Sequence, residues 1–130
     1  MLLVPTELRK SPIHGIGLFA RERIAKGTVV WKFVEGFDAE FIAEQLAQLP
    51  KVAQDYLHFY AYISSATGNY ILPSDNGRFF NHSDTPNVIR SNIPDGRDGA
   101  DIAAQDIEAG EELLYNYNEF EEGLDFRDHS

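Results

Sequence analysis

The sequence contains no cysteine, so it can form neither a disulfide framework nor a zinc site built from thiolates. It also lacks an apolar run long enough to cross a membrane. Its first residues, MLLVP, are too short for a secretion signal and have no basic flank. We therefore expect an intracellular protein without a membrane partner. The cytoplasm is the simplest setting, and a nuclear or a secreted one stays open.

Basic residues are scarce, because 11 Lys and Arg stand against 21 Asp and Glu, a formal net charge of −10. Residues 111–130 are the most acidic part, with Arg127 opposed by Glu111, Glu112, Glu119, Glu121, Glu122, Asp125 and Asp128. An acidic surface repels nucleic acid and attracts cationic partners, so we expect a basic protein partner and no direct binding to nucleic acid. The simpler alternative is that the charge only keeps the protein soluble.

What the chain does have is enough apolar material for one folded domain. Of its 130 residues, 43% are hydrophobic and 12% aromatic, and there is no repeat, low-complexity tract or convincing linker. A single domain over residues 1–130 is expected. Short stretches of β-forming residues between Gly- and Asn-containing turns predict a mainly β fold, with strands at residues 17–20, 28–33, 60–64, 69–72, 88–91, 100–103 and 112–115.

One segment predicts helix instead. Asp38 is a candidate N-cap for a helix over residues 39–49, with Phe37 and Ile42 spaced as a hydrophobic staple. A second short helical turn is expected to follow. The early and late strands are thus separated by a helical insert of about residues 38–57.

The first motif with chemical potential is SPIHGIGLFA, at residues 11–20. Gly15 and Gly17 flank Ile16 just before an apolar strand, which lets backbone N–H and C=O groups approach a ligand closely. Taken alone, two nearby glycines more often make only a tight turn. The motif is not a dinucleotide-binding fingerprint, because the third glycine and the following helix are missing.

The second motif is GRFFNHSDTPN, at residues 77–87. Asn81, His82, Ser83 and Asn87 put several donors and acceptors beside two phenylalanines, a mixture suited to a pocket for a polar, aromatic ligand. The simpler alternative is a loop closed by its own side chains. A metal site is not expected, since no second His or Cys lies at ligand spacing from His82.

The third motif is EAGEELLYNY, at residues 108–117. Its glycine and acids predict a turn, and the residues after them predict a strand on which Leu113, Tyr115 and Tyr117 share one face. Two tyrosines on one face are more often core aromatics whose hydroxyls reach the surface.

Together the motifs are far more specific than any one of them. In content and order, Gly-X-Gly-Leu-Phe-Ala, Arg-Phe-X-Asn-His-Ser-X-X-Pro-Asn and Gly-Glu-Glu-Leu-X-Tyr-X-Tyr resemble those of the SET-domain protein-lysine methyltransferases. The resemblance extends over about residues 10–117, and the helical insert falls where that family varies. It implies a small stand-alone SET domain with a β-clip-like, mainly β fold and a knot-like C-terminal crossing.

The resemblance also implies a reaction and its residues. Members of the family move a methyl group from S-adenosylmethionine to a lysine of a protein such as a histone, without a metal. Tyr117 matches the catalytic tyrosine, and Tyr115 matches a position where tyrosine goes with adding a single methyl group. The residues implied to hold S-adenosylmethionine are His14, Gly15, Ile16, Gly17, Asn81 and His82.

Two departures from the family pattern bear on the site. Asp84 replaces a common cysteine, and the zinc-binding cysteines that often follow the last motif are absent. The tail at residues 118–130 is therefore expected to close the site through Phe120 or Phe126, or with the help of a partner such as a second copy in a homodimer.

The other departures lie inside the expected substrate channel and beside it. Phe33 stands where many members have a channel tyrosine, and Tyr60 or Tyr62 is the candidate to replace the missing hydroxyl. Asn116 replaces a common aspartate, with a local effect on hydrogen bonding.

Three functions remain to be weighed. The favoured one is a methyltransferase that acts on a basic protein segment, such as a histone-like tail, and adds mainly one methyl group. The alternative is a SET-like protein-binding module with weak or no turnover, supported only by Phe33 and the short tail. The third, an acidic interaction protein with accidental motifs, is opposed by three matches in the family's order.

Overall fold

The structure is a computed structural model, and it describes residues 1–91 and 99–117. Its strands are β1 (Thr6–Lys10), β2 (Ile16–Ala20), β3 (Val29–Trp31), β4 (Ala39–Phe41), β5 (Tyr62–Ile63), β6 (Tyr70–Leu72), β7 (Asn81–His82), β8 (Val88–Ser91), β9 (Ala100–Ala103) and β10 (Leu114–Tyr115). Its helices are α1 (Ala43–Ala47), α2 (Lys51–Tyr60) and a 3-10 helix at Asn76–Phe79.

Within these residues the strands form four small sheets. β1 pairs with β2, β9 lies between β3 and β8, and β6 lies between β4 and β5. These pairings are antiparallel, whereas β7 and β10 form a parallel pair. The predicted mainly β fold is confirmed. The knot-like crossing stays a prediction.

The main core holds the two strands of the parallel pair in place. Phe80, just before β7, and Leu113, just before β10, are both buried in it beside Leu18 and Ile107. A second, smaller core lies under the helices and is made of Leu46, Leu57 and Ala61. Apolar residues next to polar motif residues thus fix where the motifs meet, because a buried side chain that left its place would expose apolar surface to water.

Two of the predicted strands match the structure residue for residue. Residues 88–91 and 100–103 coincide with β8 and β9. β1 is missing from the predictions because its sequence, TELRK, is polar and largely exposed, as an edge strand can be. β7 is missing too, since its two residues belong to a polar motif and become a strand only by pairing with distant β10.

The predicted helix over residues 39–49 begins too early. Its first three residues form β4, which pairs with β6, and α1 begins only at Ala43. Pairing with a neighbouring strand overrides local helical spacing here, as tertiary contacts often do. Phe37 and Ile42 do not form the predicted staple at the helix start, and their side chains are 41% and 43% exposed.

Asp38 does not cap a helix. Its buried side chain joins two loops by hydrogen bonds to their backbone, an arrangement called here the buried clasp. Its carboxylate accepts hydrogen bonds from the Val34 N–H at 2.9 Å and from the Ser74 N–H at 3.1 Å, and the residue is only 6% exposed. At the start of α1, the side-chain oxygen of Gln45 accepts from the Ile42 N–H at 3.0 Å, which is half of a capping box. Gln45, the polar residue that interrupts the apolar face of the helix, therefore supplies a hydrogen-bond acceptor to a backbone N–H at the start of the helix.

α2 is the main helix and extends beyond the expected short turn, ending at Tyr60. Its outer face carries Val52, Tyr56 and Phe59, which are 77%, 40% and 49% exposed. In the part of the chain that the structure describes, no helix is long and apolar enough to cross a membrane.

The buried clasp gives a test of the fold. Replacing Asp38 with Ala leaves the Val34 and Ser74 N–H groups without their acceptor and removes the partner of the N-terminal ammonium at 2.9 Å, so we expect the free energy of unfolding to fall by about 2–3 kcal/mol. Urea denaturation followed by tryptophan fluorescence measures it. Asp55→Ala is the matched control, because Asp55 forms an exposed ion pair with Lys51, whose loss should cost less than about 0.5 kcal/mol. Equal losses in the two variants would contradict the clasp.

Candidate active site

The second and third motifs meet because β7 and β10 run side by side. Asn81 lies opposite Leu114 and His82 lies opposite Tyr115 in this parallel pair. Two residues of backbone pairing would be a weak link alone. The pair therefore depends on side chains and on the core beneath it.

Asn87 supplies the strongest of these links. Its side-chain oxygen accepts from the Leu114 N–H at 2.8 Å, and its side-chain nitrogen donates to the Glu112 carbonyl at 2.9 Å. Its own backbone N–H donates to the Leu114 carbonyl at 3.1 Å. Asn87 thus mimics a further strand residue on β10, and at 8% exposure its amide is shielded from competing water.

Asn81 connects the second motif to the first. Its side-chain nitrogen lies 3.1 Å from the His14 carbonyl, 3.4 Å from the Ile16 carbonyl and 2.8 Å from Oε2 of Glu112. Glu112 belongs to the third motif, so one amide group is in contact with all three motifs.

The two glycines of the first motif are needed for different reasons. Gly15 has a φ of 46°, a left-handed conformation that favours glycine. Gly17 has no such φ, but a Cβ atom on it would lie 2.2 Å from Oε2 of Glu112. Packing against the third motif therefore favours glycine at residue 17, and its predicted role in donor binding stays a prediction.

Tyr117 lies beside the Asn81–His82 strand, as the motifs predict. Its hydroxyl donates to the Phe80 carbonyl at 2.8 Å, and its backbone N–H donates to Nδ1 of His82 at 3.1 Å. Its ring centroid is 5.2 Å from that of His82 and 5.0 Å from that of Tyr115. The structure thus brings together both predicted tyrosines and the polar loop.

A cleft, called here the His14 cleft, opens along these residues. It consists of two adjoining cavities of about 160 and 310 Å³ that share His14, Phe59, Asn81 and Tyr117. The first cavity is lined also by Gly15, Ile16, Tyr60, Arg78, Phe79 and Phe80, and the second by Ile13 and His82. Five of the six residues predicted to bind the donor line the cleft, and the sixth, Gly17, does not.

A second, much smaller space, called here the Tyr115 cavity, has a volume of about 20 Å³. It is largely aromatic, and it shares three lining residues with the His14 cleft: Tyr60, Arg78 and Phe80. Its other lining residues are Trp31, Tyr62, Pro73, Gly77, Arg90 and Tyr115. Tyr115 and Tyr117 therefore belong to neighbouring spaces on either side of a common wall.

The remaining predicted site residues divide into three groups. Tyr60 and Tyr62, the candidates to replace a channel hydroxyl, both line the Tyr115 cavity. Phe33 packs against the main core and is not among the residues that line either space. Phe120 and Phe126 lie outside the described residues, so their closing role stays a prediction.

Sequence reasoning did not single out two residues of this site. Arg78 lines both spaces, donates to the Asp75 carbonyl at 3.3 Å and lies over the Tyr56 ring. Glu112 joins Asn81 to Ser11, whose hydroxyl donates to Oε1 at 2.8 Å. Both residues lie inside the quoted motifs, and this position in the sequence is the feature that could have identified them as site residues.

Comparison with known proteins adds the family. A family model described as SET domain matches residues 15–118. A curated relative, the H3 lysine-4 specific histone-lysine N-methyltransferase of Aspergillus oryzae, is 32% identical over 122 residues, which are 87% of this chain and 9% of the relative's length. The chain thus spans less than a tenth of that relative.

Solved structures share the fold. A Plasmodium falciparum protein named as a candidate histone methyltransferase has a TM-score of 0.60 at 24% identity, over 89% of this chain and 95% of its own. A humanized mutant of the Chaetomium thermophilum Polycomb Repressive Complex 2, bound to the inhibitor GSK126, has a chain with a TM-score of 0.66 at 24% identity, over 90% of this chain and 15% of its own. Since the SET model covers most of the sequence, including residues 15–20 of the first motif and all of the other two, the family prediction is confirmed: this chain belongs to the SET-domain family.

Proposed function

We propose that this chain is itself a protein-lysine N-methyltransferase, which binds S-adenosylmethionine in the His14 cleft and the target lysine in the Tyr115 cavity. The observation that carries the proposal is that a large cleft, with Arg78 and Asn81 on a partly apolar lining, and a small aromatic cavity share Tyr60, Arg78 and Phe80 as lining residues. Methyl transfer needs the amine to approach the donor end to end for in-line attack, and a cleft and a cavity that adjoin through shared residues suit that approach.

The residues of the His14 cleft fit the chemical groups of S-adenosylmethionine. Arg78 offers a guanidinium to a carboxylate, and Asn81 offers an amide oxygen to an ammonium group. Phe59 and Ile13 supply apolar surface next to them for a nucleoside. When bound, S-adenosylmethionine supplies an electrophilic methyl group on a positively charged sulfur.

The Tyr115 cavity suits a lysine that has to be neutral to react. A free lysine has a pKa near 10.4, and burial among aromatic rings disfavours its charged form. Arg78, which borders the same cavity, adds a like charge that also disfavours the ammonium. The nitrogen lone pair of the neutral amine would then form the new bond to the methyl carbon while the carbon–sulfur bond breaks and its electron pair goes to sulfur, which leaves as a neutral thioether. The proton released from the product amine would leave to solvent.

Tyr117 is proposed to orient the amine and not to react. Its hydroxyl donates to the Phe80 carbonyl, and a hydroxyl that donates in this way can also accept an N–H of the amine. No covalent enzyme intermediate is required. Catalysis by orientation and desolvation can supply several kcal/mol of the barrier.

Product specificity is proposed to be monomethylation. The Tyr115 cavity has a volume of only about 20 Å³, close to the space for a single water molecule, and Tyr115 itself is 7% exposed. A second methyl group on the nitrogen would need room that the tyrosine hydroxyl reduces. Tyr62 and Trp31, whose rings meet edge to face at 5.9 Å, also line this cavity and narrow it further.

The proposed substrate is a basic protein segment such as a histone-like tail. The formal charge of −10 favours cationic partners, and the Aspergillus oryzae relative is named for histone H3 lysine 4. An intracellular, cytoplasmic setting and a homodimer that completes the site remain parts of this proposal. Mass spectrometry of histones and host proteins, after incubation with the enzyme and isotopically labelled donor, tests the substrate.

Replacing Tyr117 with Phe tests catalysis. We expect turnover on a basic protein to fall by about 100-fold, because an oriented hydrogen-bonding group in a water-poor site is lost. Radiolabel transfer measures turnover, and calorimetry measures donor binding. Donor affinity should stay within about threefold, since the hydroxyl acts on the amine.

The same variant separates the enzyme from a binding module. The wild-type protein could bind the donor and a basic protein and yet transfer no more label than the Tyr117→Phe variant. That result would support the binding module and contradict the proposed reaction.

Replacing Tyr115 with Phe tests the product. Removing the hydroxyl enlarges the cavity beside the amine, so the share of dimethyl and trimethyl lysine should rise while monomethylation continues. Intact-mass spectrometry of a peptide substrate measures the three products. Tyr70→Phe is the matched control, because Tyr70 packs against the smaller core and its change should leave the product ratio as in the wild type.

Replacing Arg78 with Gln tests the donor site. Losing a charge-assisted partner for the donor carboxylate should weaken S-adenosylmethionine binding by about tenfold. Methylthioadenosine has no carboxylate, so its affinity should not change. Arg23→Gln, which removes an arginine that pairs with Asp106 and Glu108, is the control and should change neither affinity. Equal weakening of both ligands by Arg78→Gln would contradict a carboxylate partner.

A further inference from the structure

We infer that Glu112 is a positioning residue for the methyl donor: it fixes the Asn81 side-chain amide so that the amide oxygen faces the His14 cleft. The inference rests on the proposed function, because it concerns how the donor is recognised. The group that this oxygen would accept from is a nitrogen that carries hydrogen and positive charge, such as the ammonium of the donor's amino-acid part.

Both carboxylate oxygens of Glu112 are engaged. Oε2 accepts from Nδ2 of Asn81 at 2.8 Å, and Oε1 accepts from the Ser11 hydroxyl at 2.8 Å. The Ser11 oxygen in turn accepts from the Ile13 N–H at 2.9 Å. Glu112 is thereby held between the loop of the first motif and the strand of the second, with little freedom to rotate.

The orientation of the Asn81 amide follows from its surroundings. The three atoms around its nitrogen end are all oxygens, belonging to Glu112, His14 and Ile16. A flipped amide would place its own oxygen against these three acceptors, and the negative charge of Glu112 makes that arrangement the most costly. Asn81 borders both cavities of the cleft, so an amide held by its nitrogen end presents its oxygen on the ligand side.

Gly17 shows how closely the carboxylate fits. A Cβ atom at residue 17 would lie 2.2 Å from Oε2 and 2.8 Å from Cδ of Glu112, which is closer than a Cβ atom and a non-bonded neighbour approach each other. The backbone of Gly17 would otherwise accept a side chain, because its φ is not in the left-handed region. The second glycine of the first motif therefore makes room for Glu112, and a methyl group there would push the carboxylate off Asn81.

Donor binding to Glu112 variants is the main test, measured by calorimetry on the full chain. Glu112→Ala should weaken S-adenosylmethionine binding by about tenfold, whereas Glu112→Gln should lose less, since its amide oxygen can still accept from Asn81. Methylthioadenosine lacks the ammonium group, and its affinity should be the same in all three proteins. At saturating donor, the KM for the protein substrate should stay that of the wild type.

A double-mutant cycle tests the link to Gly17. Gly17→Ala alone should weaken S-adenosylmethionine binding because it displaces the carboxylate. Added to Glu112→Ala it should cost much less than it does alone, because the two atoms it would approach most closely are gone and Cβ of Ser11, at 3.0 Å, is the neighbour that remains. Such non-additivity identifies two residues that act through one contact.

A spectroscopic measurement checks the contact without any ligand. The side-chain amide protons of Asn81 in a ¹⁵N–¹H spectrum of the free protein should move upfield in Glu112→Gln, where a hydrogen bond to a charged acceptor becomes one to a neutral acceptor. This measurement also serves if Glu112→Ala does not fold.

The results separate the inference from the proposed function. A wild-type chain without donor binding would contradict the proposed function, while the Asn81 amide shift would still report on Glu112. The inference itself is overturned if Glu112→Ala weakens both ligands equally, if the two substitutions add fully, or if the Asn81 amide resonances stay unchanged.

Discussion

The parallel pairing of β7 with β10 is the constraint on which the rest of the site depends. It spans two residues on each strand, and Asn87 extends it by bonding the backbone on both sides of Leu113. A pair this short is stable only because Phe80 and Leu113 anchor its two strands in the main core. Residues that are distant in sequence are thereby held at hydrogen-bonding distance, which a loop alone would not do.

Buried polar side chains do the joining at this site, and this explains the composition of the motifs. Asn81 and Asn87 are buried and Glu112 is half-buried, and hydrogen bonds to Glu112 and to backbone groups offset much of the cost of removing the two amides from water, so a mismatch would cost much. An apolar core would stabilise the same strands in several registers. A set of directional hydrogen bonds accepts only one, and a methyl-transfer site needs that accuracy.

The sequence predicts the mainly β fold and the meeting of the motifs better than the details between them. β8 and β9 follow from local pattern, and the motif order suffices to expect Asn81, His82 and Tyr117 together. The start of α1 does not follow, because pairing between β4 and β6 is a contact between residues some thirty positions apart. The clash between a Cβ on Gly17 and Glu112 is likewise invisible in a local pattern. Local rules describe what a segment prefers, and only tertiary contacts decide between preferences.

Phe80 is where the two sides of the proposed reaction are coupled. Its carbonyl accepts from the Tyr117 hydroxyl at 2.8 Å, and its ring lies edge to face with that of Tyr115 at 5.3 Å. It lines the His14 cleft and the Tyr115 cavity alike. The backbone carbonyl of Phe80 orients the proposed catalytic hydroxyl, and its ring shapes the space for the amine. The alignment of the amine with the donor and the number of methyl groups added therefore cannot vary independently. A change in volume at residue 80 moves both tyrosines at once, since a close-packed interior transmits such displacements.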